Sequence, residues 1–298
     1  MNDKQRWLIR HICDGDIKRA RQQAKIILNE TTTSKDQQFK KTMLNLLDVK
    51  LNQLELPINI REFLTVENPS EFPESRFLLR PEEAKIVELV LKTSRAAEEL
   101  TRMKIAYPPS LMLYGDSGCG KTMLARYIAH KLDRPFMYVR FSSIVDSYLG
   151  KTQSNISKVF NYVKTIPCVL CFDEIDAIGM ARGQKEDVGE MSRIVVALMQ
   201  ELDTLPNSAI IIGATNRFNE LDTALVRRFA IKHEILPMTR NDINALAERF
   251  FQYVEIPTEE WLSDWCNVNI AESEPASIIV EKCTRLLIEK IIKMKVKE

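Results

Sequence analysis

Nine consecutive residues carry the clearest chemistry in this chain. In "YGDSGCGKTML", Gly115, Gly118 and Gly120 precede Lys121 and Thr122 in the pattern G-x-x-x-x-G-K-[ST], with Asp116, Ser117 and Cys119 between them and Met123 after. Glycines let successive backbone N–H groups converge on phosphate oxygens. Lysine adds a point charge at the β and γ groups, and a threonine hydroxyl can ligate Mg²⁺. A second Gly-Lys-Thr triplet, in "SYLGKTQSN", has Val145 where the first glycine would stand, so the phosphates belong at residues 115–122. Further on, "CVLCFDEID" ends an apolar run in Asp173, suited to the Mg²⁺ shell, and Glu174, suited to orienting an attacking water. Asn216, closing "AIIIGATN", can hold that water. Arg227 and Arg228, in "LDTALVRRF", can meet charge developing on a transferring phosphoryl group. The set points to Mg²⁺-dependent hydrolysis of a nucleoside triphosphate.

Elements that would position these residues follow from periodicity. "LMLY", "FMYVRF", "CVLCFDE" and "AIIIGATN" are short apolar runs separated by helical stretches, the pattern of a parallel sheet with helices on both faces. The phosphate loop sits between one such strand and a helix that begins at Lys121. "PEEAKIVELVLKTSRAAEELTRMKI" reads as a further helix, opened by Pro81 at its first position. Residues 1–56 read as a small helical domain. Ile17, Ala20, Ala24, Ile27 and Leu28 lie at helical spacing behind an Asp14–Asp16 cap, and Phe39, Met43, Leu46 and Leu47 form another stripe. Residues 57–80 are Pro-punctuated and aperiodic, a linker or a docked arm. Residues 81–236 then form the α/β nucleotide-binding unit, and 237–298 a helical subdomain.

Composition excludes several classes of function. The 298 residues hold 42 basic and 41 acidic side chains, a formal charge of +1, so bulk attraction to nucleic acid or anionic membrane is not expected. Residues 1–50 are mildly basic, with 11 Lys/Arg against 6 Asp/Glu. The start of the chain lacks a signal-like apolar segment and no run suits a bilayer span, so a cytoplasmic protein without membrane insertion is expected. Cys168 and Cys171 make a CxxC within a buried strand, which reads as packing, and three histidines make a zinc site improbable. Neither GxSxG nor HExxH occurs, so any proteolysis needs a separate chain.

Taken in order, the phosphate loop, "FDEIDAI", "GATN" and "LDTALVRRF" resemble the motif series of the AAA family of P-loop ATPases over residues 76–290. The resemblance implies a P-loop sheet, a C-terminal helical lid and a homo-oligomeric ring, commonly a hexamer, in which Arg227 and Arg228 act on the neighbour's ATP. It also assigns "SYLGKTQSNISKVF" to a pore loop, with Tyr148 and Leu149 gripping an extended protein substrate by apolar contact and Gly150 letting the loop turn. "MARGQKEDVGE" has the position of a second pore loop, with Arg182 and Lys185 on it. Many relatives have Pro-Pro at Asp116–Ser117 and Thr at Cys119. Asp116 is expected to face solvent, or otherwise to pair with a cation such as Arg217. Ala276 falls where many members carry a small lid residue, and Arg285 lies too far along to reach phosphate. The leading reading is a protein-remodelling motor acting on a protein substrate or with a separately encoded peptidase. A nucleotide-controlled interaction switch and, behind it, a nucleic-acid loading ATPase are the alternatives.

Overall fold

The computed structural model describes residues 3–13, 17–30, 56–107, 109–139, 144, 152–179, 188–258 and 261–295. Two compact units divide at residue 55. The first contains α1 (Asp3–Cys13) and α2 (Ile17–Glu30). These helices pair with each other through Lys4 and Glu30, and the small Ala20 is buried. The stripe at Phe39–Leu47 and the cap at residues 14–16 lie outside the described residues.

The second unit is α/β, built on a six-stranded sheet in the order β1-β3-β4-β5-β2-β6. Along the chain come β1 (Leu64–Glu67), α3 (Pro81–Arg102), β2 (Ser110–Tyr114), α4 (Lys121–Leu132), β3 (Phe136–Val139) and α5 (Thr152–Val163). They are followed by β4 (Val169–Phe172), α6 (Asp176–Gly179), α7 (Val188–Asp203), β5 (Ile210–Thr215), α8 (Thr223–Val226) and β6 (Ile231–Glu234). Helices α9 (Arg240–Tyr253), α10 (Leu262–Asn269) and α11 (Ala276–Lys295) complete it. β2 to β6 run parallel. Their strands alternate faces: Leu111, Leu113, Val169, Cys171, Ile210 and Ile212 pack under α3 and α4. Phe172 points the other way and stacks on Phe160 of α5 at 5.8 Å. Each buried Leu, Ile or Phe contributes about 1.5–3 kcal/mol, so these central strands hold the frame rigid.

Two strands differ from the sequence reading. Residues 57–80 contain β1, which pairs antiparallel with β3, Glu67 opposite Phe136. Four residues among prolines carry too little periodicity to announce a strand; pairing with β3 supplies what local pattern does not. β6, "IKHE", is an edge strand with charged side chains, and its half-exposed pattern hides it in the same way. The arm then packs along α4: Phe77 stacks on Tyr127 at 4.8 Å, and His130 Nδ1 lies 2.8 Å from the Pro69 carbonyl.

Helices α9, α10 and α11 share a separate apolar cluster around Ile243, Phe251, Cys266 and Ile279. The α9 start is set by a capping box between Thr239 and Asp242, which satisfies otherwise orphaned N–H groups. The arm straddles both cores. Phe77 and Leu79 face the sheet cluster, and Leu78 faces the helical one.

Cys168 and Cys171 are free and buried, and burial pushes the Cys168 thiol up to about 12, the range of an inert packed cysteine. Among the described residues no cluster of metal-ligating side chains occurs, and no helix is long and apolar enough to cross a membrane.

Candidate nucleotide site

Strand order decides where the chemistry falls. β4, β5 and β2 are neighbours and parallel, so Asp173, Asn216 and the loop after Tyr114 emerge side by side at their C-terminal ends. The three form one wall of a cleft of about 590 Å³, lined by residues 117–124, Asp173, Glu174, Thr215 and Asn216. That volume suits a nucleotide-sized ligand.

Loop geometry depends on glycine at two places. Gly118 has φ +76, and a Cβ there would stand 2.3 Å from Ser277 Oγ; Gly115 has φ +137, and its Cβ would meet the Ile235 carbonyl oxygen at 2.5 Å. A side chain would strain the backbone at either position, and at Gly115 it would also meet main chain. The Ser277 N–H donates to the Gly118 carbonyl at 3.2 Å, so the first turn of α11 rests on the phosphate loop, with Ala276 beside it in the cleft. Lys121 is buried, and its ammonium donates to the carbonyls of Gly115 at 2.9 Å and Asp116 at 2.8 Å. Asp116 and Ser117 are exposed, and Arg217 faces Glu220 at 3.7 Å, which leaves the Asp116 carboxylate in solvent. Cys119 is half-buried, its sulfur 3.7 Å from Lys121 Nζ.

The acids take different roles by position. Thr122 Oγ1 donates to Asp173 Oδ2 at 2.6 Å, joining the start of α4 to the end of β4. These are hard oxygen donors, the set Mg²⁺ prefers, so the residues present fit that ion. Glu174 is exposed at the cleft with φ +49, left-handed backbone that costs about 1–2 kcal/mol. The conformation is held on both sides. Ala177 N–H donates to the Glu174 carbonyl at 2.8 Å, and Ile175 N–H continues the β5 ladder at the Ala214 carbonyl. The strand end that carries Asn216 is tied by Thr215, whose Oγ1 donates to Asp176 at 2.7 Å and accepts from Arg217 N–H at 2.9 Å. Asp176 is thus a hydrogen-bond partner of β5 as well as the first residue of α6.

Arg227 and Arg228 do not line this cleft. Arg228 is tied within its own chain, to Asp203 at 3.1 and 3.2 Å and to the Ala224 carbonyl at 3.1 Å. Arg227 is exposed and, among the described residues, has no ion pair. Arg285 also lies outside the cleft and pairs with Glu281. Tyr148, Leu149, Gly150, Arg182 and Lys185 lie outside the described residues.

Sequence reasoning missed the apolar half of the cleft, made by Phe77 and Leu78 of the arm, Ile235 and Met238 after β6, and Phe250 of α9. The only signal was the apolar triplet Phe77–Leu79 ahead of Pro81. It also missed Arg80 and Glu83. Arg80 Nε donates to Glu83 at 3.0 Å, and its Nη1 donates to the carbonyls of Leu236 at 2.9 Å and Pro237 at 3.3 Å, pinning the passage from β6 to α9. Burial opposes the Glu83 charge, but His233, its Nε2 3.8 Å away, and the forked Arg80 pair together outweigh it and hold the carboxyl at about 2. A depressed carboxyl stabilises the fold above its unfolded value near 4.5 and loses that contribution as pH falls towards 2. Glu83→Gln is therefore expected to cost about 3 kcal/mol at neutral pH and to flatten the fall in stability between about pH 4.5 and 2. Urea midpoints measured across that range check both.

Comparison with known proteins agrees with this geometry. The family model "ATPase family associated with various cellular activities (AAA)" matches residues 111–236. An uncharacterized AAA family ATPase, y4kL, of Sinorhizobium fredii is 35% identical over 140 residues, covering 47% of this chain and 42% of the relative. The proteasome-activating nucleotidase of Methanoculleus marisnigri is 33% identical over 206 residues, 67% of this chain and 50% of the relative. The 26S proteasome regulatory subunit 10B homolog A of Arabidopsis thaliana is 41% identical over 136 residues, 44% and 34% respectively. The chain spans half or less of the length of each. With the phosphate loop, the acid pair and Asn216 gathered at the C-terminal ends of neighbouring strands inside the matched segment, residues 111–236 form an ATPase domain of the AAA family.

Proposed function

We propose that this protein hydrolyses ATP in the cleft described above and uses the turnover, as an oligomeric ring, to remodel a protein client. The observation that carries the reading is the convergence of Lys121, the Thr122–Asp173 pair, Glu174 and Asn216 on one cleft. Backbone N–H groups of residues 115–121 and the Lys121 ammonium receive the triphosphate, and the apolar wall around Phe77, Met238 and Phe250 receives the base. Thr122 and Asp173 would hold Mg²⁺, which would neutralise charge on the triphosphate. Glu174 orients the attacking water and Asn216 steadies it. Arg227 of an adjacent copy, without an ion pair among the described residues of its own chain, completes the centre, and Arg228 braces the segment that presents it.

Residues 237–298 act as the helical lid over the nucleotide. The first turn of α11 touches the phosphate loop through Ser277, so a change at the phosphates is felt directly by that helix. The N-terminal helices recruit the client or a separately encoded effector. A peptidase is the favoured effector, because two of the relatives are by name a proteasome-activating nucleotidase and a proteasome regulatory subunit.

Tyr148→Ala tests the motor reading against a switch that threads nothing. ATPase activity within about twofold of native with client unfolding reduced tenfold or more is expected, since an aromatic contact is worth about 1–1.5 kcal/mol per grip and several grips act together. Client remodelling at the native rate would favour the switch.

A further inference from the structure

A second cavity, of about 380 Å³, is lined by Thr122 and Asp173 together with Thr65, Glu67, Arg126 and Tyr138. The Glu67 and Arg126 side chains form a two-pronged ion pair there: Nε to Oε2 at 2.6 Å and Nη2 to Oε1 at 2.9 Å. Arg126 stands one turn along α4 from Thr122, and its guanidinium also lies over the Phe136 ring at 5.3 Å. Glu67 comes from β1, whose pairing with β3 places it opposite Phe136. The arm strand and the phosphate-loop helix therefore meet at a charge pair beside the two oxygen donors. Arg126 is held charged chiefly by Glu67, and the Asp173 carboxylate also contributes.

The arrangement poses a conflict that the pair resolves. A guanidinium at this place is attracted to Asp173 and repels a divalent cation. Paired through Nε and Nη2 and laid on Phe136, it does both less strongly. Ordinary surface ion pairs are worth little, but this one is forked, about two-thirds buried and lines the same cavity as both donors.

We propose that Glu67 is a positioning residue for the metal site: it neutralises Arg126 and holds it off Asp173, so that the Thr122–Asp173 pair stays available to Mg²⁺. This rests on the assignment of Thr122 and Asp173 given above. Mg²⁺ and the nucleotide never contact Glu67 in this account. The arm strand thereby becomes part of the machinery that sets how much Mg²⁺ the protein needs.

Titrating MgCl₂ against the full-length protein with a fluorescent non-hydrolysable ATP analogue reads this directly as the Mg²⁺ concentration for half-maximal binding. Glu67→Gln should raise that concentration about tenfold, the effect of one uncompensated charge nearby. Arg126→Met should leave it within about twofold, and the double variant should return to within about twofold of native. Melting without nucleotide serves as the structural readout, and both single variants should lower the midpoint by a few degrees alike. An unchanged Mg²⁺ requirement in Glu67→Gln, or no rescue in the double variant, overturns the proposal. Asp173→Asn separates the two levels of argument. If it raises the requirement while Glu67→Gln does not, the positioning role alone fails; if it has no effect, the metal-site assignment fails and takes this inference with it.

Discussion

Glu174→Gln is expected to slow ATP turnover about 10²–10³-fold while nucleotide affinity stays within about twofold. The amide has the same shape and the same backbone demand, so the left-handed conformation at φ +49 is retained along with the contacts that hold it. What is lost is the negative charge that orients and polarises water at the cleft. Steady-state phosphate release and nucleotide binding by fluorescence separate the two quantities. Purified variant should retain ATP where the native protein retains ADP. A native rate of phosphate release from Glu174→Gln would remove the carboxylate from the mechanism.

Arg227→Ala carries the other large effect. An arginine donor completing a phosphoryl-transfer centre is worth about 10³–10⁵ in turnover, so at least a thousandfold loss is expected with affinity unchanged. The prediction distinguishes two adjacent residues that chemistry alone treats as equals. Arg228 is held by Asp203 and the Ala224 carbonyl of its own chain, whereas Arg227 is exposed and, among the described residues, free of ion pairs. Arg228→Ala should therefore cost less, through loosening of the turn after α8. Equal losses in the two variants would mean that Arg228 leaves Asp203 on assembly.

The phosphate loop was legible because its glycines, lysine and threonine are contiguous, so local spacing holds most of the geometry. Asp173, Glu174 and Asn216 were legible because each ends an apolar strand that stands out by composition. The two edge strands were not. β1 and β6 are short, half-exposed or charged, and they exist because a neighbouring strand offers hydrogen bonds, which no local pattern encodes. The apolar wall of the cleft was hidden for a related reason. Phe77, Met238 and Phe250 come from three distant segments, each looking like ordinary core or loop until the arm, the β6–α9 passage and the helical cluster are brought together. The Glu67–Arg126 pair is the extreme case, since its partners lie on an unrecognised strand and on a helix face with no motif of its own.

In the proposed mechanism one chain binds the nucleotide and the next completes the reaction. Mixing two inactive forms tests it: Lys121→Ala, which cannot hold the triphosphate but still presents Arg227, and Arg227→Ala, which holds ATP but presents no donor. Co-assembled in equal amounts through different tags, they should regain roughly a quarter of native ATP turnover, the fraction of contacts that join an intact site to an intact donor. A mixed assembly no faster than the sum of its two parents would contradict the claim.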